Sequence, residues 1–131
     1  MAMVEMVIIL PVLLTLLFAV SEFGVIFARW QTLTNAAREG ARTAVVFRAP
    51  CTTAAVESEV RQVVKAYAAS AGITLVDGDI GVTGSCGALD SDSVISVSHT
   101  YDFVVLPGFA ASLSPDIDLA TSATMRNEGS G

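Results

Sequence analysis

Few residues in this chain are of types that do chemistry. They are one histidine, His99, two cysteines, Cys51 and Cys86, and the loop aspartates Asp77, Asp79, Asp90 and Asp92. Cys86 and His99 could form a thiol–imidazole dyad, but only if Cys86 is free. A serine nucleophile elbow needs GxSxG, and the nearest run, Gly84-Ser85-Cys86-Gly87, lacks that spacing. His99 occupies an apolar-face position of an alternating stretch, which reads as a core histidine rather than a general base. The aspartates lack the glycine and the distal glutamate that an EF-hand loop needs, and read as solvated turn residues. No catalytic residue, cofactor site or metal site is expected, so the chain does not read as an enzyme.

The two cysteines are in neither a CxxC nor a Cys/His array, so zinc is poorly supported. A Cys51–Cys86 disulfide would stabilise by roughly 3–4 kcal/mol. It would also mean that this part matures outside the cytoplasm. Two free thiols are the alternative.

Two further carboxylates stand out because of their surroundings. Glu5 and Glu22 flank or interrupt an apolar stretch, Met6 to Ala28, whose other clear polar residues are Thr15 and Ser21. At helical rise this stretch is about 35 Å long, enough to cross a bilayer core. It is longer than a signal-peptide core and no base precedes it, so a spanning or filament-core helix fits better. Arg29 and Trp30 follow at once, a cation beside an indole, and suit a membrane boundary. Glu22 either reaches for the interface or faces another helix. Glu5 either lies among lipid headgroups or pairs with a positive group in a helix bundle. Residues 1 and 5 are about 6 Å apart along a helix. A modest axial stagger would therefore bring the α-amino group of Met1 in one chain to Glu5 in the next.

The four bases Arg29, Arg38, Arg42 and Arg48 all follow the span, which by the positive-inside rule would turn the C-terminal part inward. A basic leader removed ahead of Met1 resolves that conflict. Pro11 costs the helix one backbone hydrogen bond and makes it pliant near Val7–Pro11. No breaker occurs from Arg29 to Arg48, so one helix is expected from about Ala2 to Phe47. Along it Ala36, Ala37, Gly40, Ala41 and Ala44 form a strip of small residues for close helix packing, against a sheet of the same chain or a neighbouring helix.

Charge divides the chain. Up to Arg48 the net is +1, and beyond it ten acids face Arg61, Lys65 and Arg126, a net of −7. An acidic head with no cluster of bases argues against nucleic acid as a partner. In the head, Val56, Val60, Val63, Val64 and Tyr67 share one face of an amphipathic helix over Ala54–Ala71, with Thr53 as N-cap and Gly72 at the C-terminal cap. Ile73–Val76 and Ile80–Val82 flank Asp77-Gly78-Asp79 as a short hairpin or bend. Ile95, Val97, His99, Tyr101 and Phe103 alternate with polar residues, as do Ile117, Leu119, Thr121, Ala123 and Met125, with a loop from Leu106 to about Asp116 between them. The expected fold class is α+β: a long N-terminal helix (1–48) and a head (49–131) with a second helix on a three- or four-stranded antiparallel sheet.

Two stretches carry a resemblance. Val4-Glu5-Met6 runs through Leu10-Pro11 into Glu22-Phe23-Gly24 and then Thr34-Asn35-Ala36-Ala37-Arg38-Glu39-Gly40-Ala41-Arg42. The second is the terminal run Ala123-Thr124-Met125-Arg126-Asn127-Glu128. Together they resemble the TadE-like pilins of the tight-adherence branch of type IV pilus systems. The resemblance implies a leader cut by a prepilin peptidase so that Glu5 is fifth from the new terminus, although Met6 stands where family members often have an aromatic residue. It implies a chain held in the inner membrane with its head outside, which then enters an extracellular filament with copies of itself or with other pilins, through the pilus assembly machinery. The chain would build the shaft or, as a minor pilin, prime or cap a filament made by another protein. An anchored extracytoplasmic protein that never polymerises is the third reading.

Overall fold

The computed structural model describes residues 2–46, 48–105 and 116–128. The elements, in chain order, are α1 (Ala2–Val45), α2 (Thr53–Ser70), a 3-10 turn at Asp77–Asp79, β1 (Ile80–Thr83), β2 (Asp92–Tyr101) and β3 (Ile117–Arg126). The strands form one antiparallel sheet in the order β1-β2-β3. The fold is α+β, as expected, with three strands.

Helix α1 has 44 residues and continues unbroken through Pro11, for a length of about 66 Å. Its two halves bury differently. From Met3 to Ser21 every side chain is exposed, including all the large apolar ones. Higher up, Leu33, Ala36, Ala37, Ala41 and Ala44 are buried in the same core as Val56, Val60, Val64 and Ala68 of α2 and Ile95, Val97 and Leu119 of the sheet. The upper half of α1 is therefore structural core of the head.

The small residues permit that packing. A Cβ at Gly40 would stand 2.6 Å from Val64 Cγ2 and 3.5 Å from Ile95 Cγ2. At this point both α2 and β2 press on the α1 backbone, and only glycine leaves room. Thr34 Oγ1 and Thr121 Oγ1 share a 3.2 Å hydrogen bond between α1 and β3.

Helix α2 begins one residue earlier than the sequence suggests. Thr53 is its first residue and Thr52 the N-cap, because the Thr52 carbonyl already accepts from the amides of Ala55 and Val56. At the other end Gly72 adopts φ +73°. Its amide donates to Ala69 O and that of Ile73 to Ala68 O, the paired bonds of a Schellman motif. Ile73 and Leu75 are buried but enter no strand. Asp79 accepts from the Val76 amide and tightens Asp77–Asp79 into a turn, so this region is a bend rather than a hairpin. Strand β2 ends at Tyr101, and Phe103 beyond it packs edge-on to the Tyr101 ring at 5.7 Å. The expected loop from Leu106 and the expected last turn at Phe47 lie outside the described residues.

Cys51 and Cys86 are joined in a disulfide. It ties the connection between the helices to the β1–β2 loop. Buried Asn127 braces that loop by donating to Gly84 O and Ser91 Oγ, while the Glu128 amide donates to Val45 O at the top of α1.

The Gly40 contact sets a test. Gly40→Leu forces a branched side chain into the α2 valines, whose χ1 angles are stiff. It should destabilise the head by about 2–3 kcal/mol, read as a lower urea midpoint at unchanged slope. Gly24→Leu, where no neighbour lies within 4 Å of the would-be Cβ, should leave the midpoint within about 0.5 kcal/mol of the original.

Candidate functional site

The place where the exposed stem meets the head is built around a carboxylate. Glu22 is 2% exposed. A buried ionised carboxylate needs donors on its oxygens, and the head supplies them. The Tyr101 hydroxyl donates to Glu22 Oε1. The Val104 amide donates to the same oxygen at 2.8 Å and the Val105 amide to Oε2 at 2.6 Å. The Arg29 guanidinium, two turns up α1, lies 5.1 Å from the Tyr101 ring centroid, within cation–π range. Glu22 thus neither snorkels nor faces another helix. It fastens the end of β2 and the first residues after it to α1.

The cluster alters the phenol. Burial, followed by the hydrogen bond to Glu22 and its charge, pushes Tyr101 up to about 12, against a lowering by Arg29. Ionising this tyrosine would place two negative charges side by side in a dry site.

The residues singled out from sequence are placed as follows. Met1 lies outside the described residues. Glu5 is exposed in the first turn of α1, and Pro11 lies within the unbroken helix, its carbonyl accepting from Thr15 Oγ1. Ala36, Ala37, Gly40, Ala41 and Ala44 are all occupied by α2 and the sheet of the same chain. Arg29 belongs to the Tyr101 cluster. Trp30 is exposed, with its ring 6.2 Å from that of Phe27. The disulfide removes the Cys86 thiol from any dyad with His99, which is half-buried opposite Leu119. The loop aspartates do not converge. Asp77 pairs with Lys65 at 2.7 Å, Asp79 caps its own turn, and Asp90 and Asp92 lie 3.9 Å from Arg126. The Lys65 hydrogen bond and charge lower the Asp77 pKa. Among the described residues no group of three or more His, Cys, Asp or Glu could hold a metal ion.

Sequence reasoning missed Tyr101, Val104 and Val105 as partners of Glu22. The signal was available in part. An acid inside an apolar run must find donors, and Tyr101 is the inward-facing phenol that ends its strand.

Glu22→Ala removes the acceptor for two backbone amides and a phenol, and should cost about 3 kcal/mol, with Glu22→Gln losing roughly half as much. The Val104 and Val105 amides should lose hydrogen-exchange protection in both. Unchanged protection would show that the cluster does not hold this segment. Tyr101 adds a pH signature. An unfolded tyrosine loses its proton near pH 10, whereas the folded one keeps it to about 12. Stability is unaffected below pH 10 and should fall by about 2 kcal/mol as pH rises from 10 to 12. Tyr101→Phe should flatten that decline.

In comparison with known proteins, residues 1–42 match the family described as TadE-like protein. No curated protein and no solved structure matches the chain. The match covers the exposed stem, Glu22 and most of the small-residue strip. Over residues 1–42 the chain is therefore similar to the TadE-like family.

Proposed function

We propose that the chain is a structural pilin subunit of a Tad-type, type IV-like filament. Its head lies outside the cell, and its stem is held first by the inner membrane and then by other subunits. One observation carries the reading. The lower half of α1 is a continuous helix of exposed apolar side chains, and it runs without interruption into the core of a folded head. So much apolar surface needs lipid or protein around it.

Glu22 refines where lipid stops. The Val104 and Val105 amides and the strand end bonded to it cannot enter hydrocarbon, because backbone at that depth would lose its water. The lipid-facing segment is then residues 3–21, about 28 Å long, a match to a bilayer core. This moves the membrane edge from Arg29 and Trp30 to Ser21. Trp30 then stands nine residues, or about 13 Å, above it.

Two features support extracytoplasmic placement of the head. The disulfide is of the kind that persists in oxidising compartments. The acidic surface suits a head that must stay soluble at high local density. Assembly requires helix–helix contacts to replace lipid contacts. With Ala36 to Ala44 already covered within the chain, those contacts fall to the stem, including Glu5, Pro11 and the α-amino group of Met1.

Mass spectrometry and N-terminal sequencing of material sheared from cells should find this chain, beginning at Met1 and in amounts that account for the shaft. Glu5→Ala should reduce that yield about tenfold or more while leaving the Cys51–Cys86 bond intact in the membrane pool. Trace amounts beside an abundant second pilin would instead make the chain a priming or capping subunit. Absence from sheared material, with the chain a detergent-soluble monomer, would replace the filament by an anchored protein.

A further inference from the structure

The charges of the chain are separated along its length. Among the described residues most cations of the head are engaged. Arg48 pairs with Glu59, Lys65 with Asp77, Arg61 donates to the Asp77 carbonyl, Arg29 lies on Tyr101, and Arg126 stands near Asp90 and Asp92. The exceptions are on the face of α1 turned away from α2 and the sheet. There Gln31, Asn35, Arg38 and Arg42 are all exposed. Arg42 has only Glu39 of its own helix, at 3.9 Å, and Arg38 forms no ion pair among the described residues.

Exposed carboxylates without an ion pair include Glu5 on the stem and Glu128 beside Val45, and three more gather at the other end of the head. Asp102 directly follows Tyr101, Asp116 directly precedes β3, and Asp118 is in an outward-facing position of β3, where it accepts from Thr100 Oγ1 at 2.8 Å. None of the three forms an ion pair among the described residues. They form a lip at the level of Glu22, because Tyr101 is bonded to Glu22. Arg38 is 16 residues above Glu22 on the same helix, or about 24 Å along its axis.

We propose that the Arg38–Arg42 face of α1 is the seat of a second copy of this chain, which presents its Asp102–Asp116–Asp118 lip to that face. The proposal rests on the filament reading and supplies its axial register. Two copies held at one depth in a membrane oppose lip to lip and arginine to arginine. A copy raised by about 24 Å brings lip against arginine face. The two patches are different surfaces of one molecule, so the contact is heterologous and repeats without closing, which generates a filament. Exposed ion pairs add little binding energy. Their part is to set the stagger of this one neighbour, whereas a Met1–Glu5 contact, at about 6 Å, is made with a different neighbour in the array.

The test is charge reversal in cells, with filament yield read from sheared material. Arg38→Glu with Arg42→Glu, and separately Asp102→Lys with Asp118→Lys, should each lower the yield about tenfold. Combining all four should restore it to within about threefold of the unmodified chain. Membrane-pool chain retaining the Cys51–Cys86 bond on non-reducing mass spectrometry controls for folding. If the unmodified chain is missing from sheared material, the filament reading falls and this contact with it. If the unmodified chain assembles and the reversals have no effect, only this contact falls. Loss with the arginine pair alone, not rescued by the aspartate pair, overturns the second copy as occupant and points to an anionic lipid or polymer.

Discussion

One helix in this chain has to satisfy two surroundings. Below Glu22 the α1 side chains face outward on all sides, and above it one face of the helix is packed by the sheet and α2 while Phe23, Phe27 and Arg38 stay exposed. A buried carboxylate stands at the junction and accepts from the phenol of Tyr101 and two backbone amides. That arrangement fixes where the described end of the sheet sits on the stem. The lower limit of the sheet, the position of Arg29 over the Tyr101 ring and the height of the acidic lip all follow from it.

Much of the fold can be read from sequence because local rules dominate where it was legible. The long helix is free of breakers, α2 has valines at helical spacing, and Gly72 stands where a left-handed residue is required. In β2 and β3 the alternation of apolar and polar residues matches the inward and outward faces of the observed register. The disulfide pairing was open only because free thiols fit the same sequence.

What was not legible depends on distant partners. Glu22 and Tyr101 are 79 residues apart, and no local pattern says that one ends above the other. The small strip from Ala36 to Ala44 states only that a backbone will come close. Which backbone comes close depends on how α2 folds back, and the Gly40–Val64 approach answers that. Ile73 and Leu75 show a limit of alternation. Both turn inward as strand residues would, yet Asp79 closes a turn on Val76 before pairing can start.

The way α1 is shared has a mechanical consequence. A pull along the helix axis is borne by the backbone hydrogen bonds of one rod, from Ala2 to Val45, with one bond absent at Pro11. The sheet and α2 are mounted on the side of that rod, with the β1–β2 loop tied to the α1–α2 connection by a covalent staple and Glu128, just after β3, bonded back to Val45. They hang in parallel with the load and are not links in series. Loops and strand faces of such a head can therefore change shape or chemistry without lowering the tensile strength of the rod that carries it.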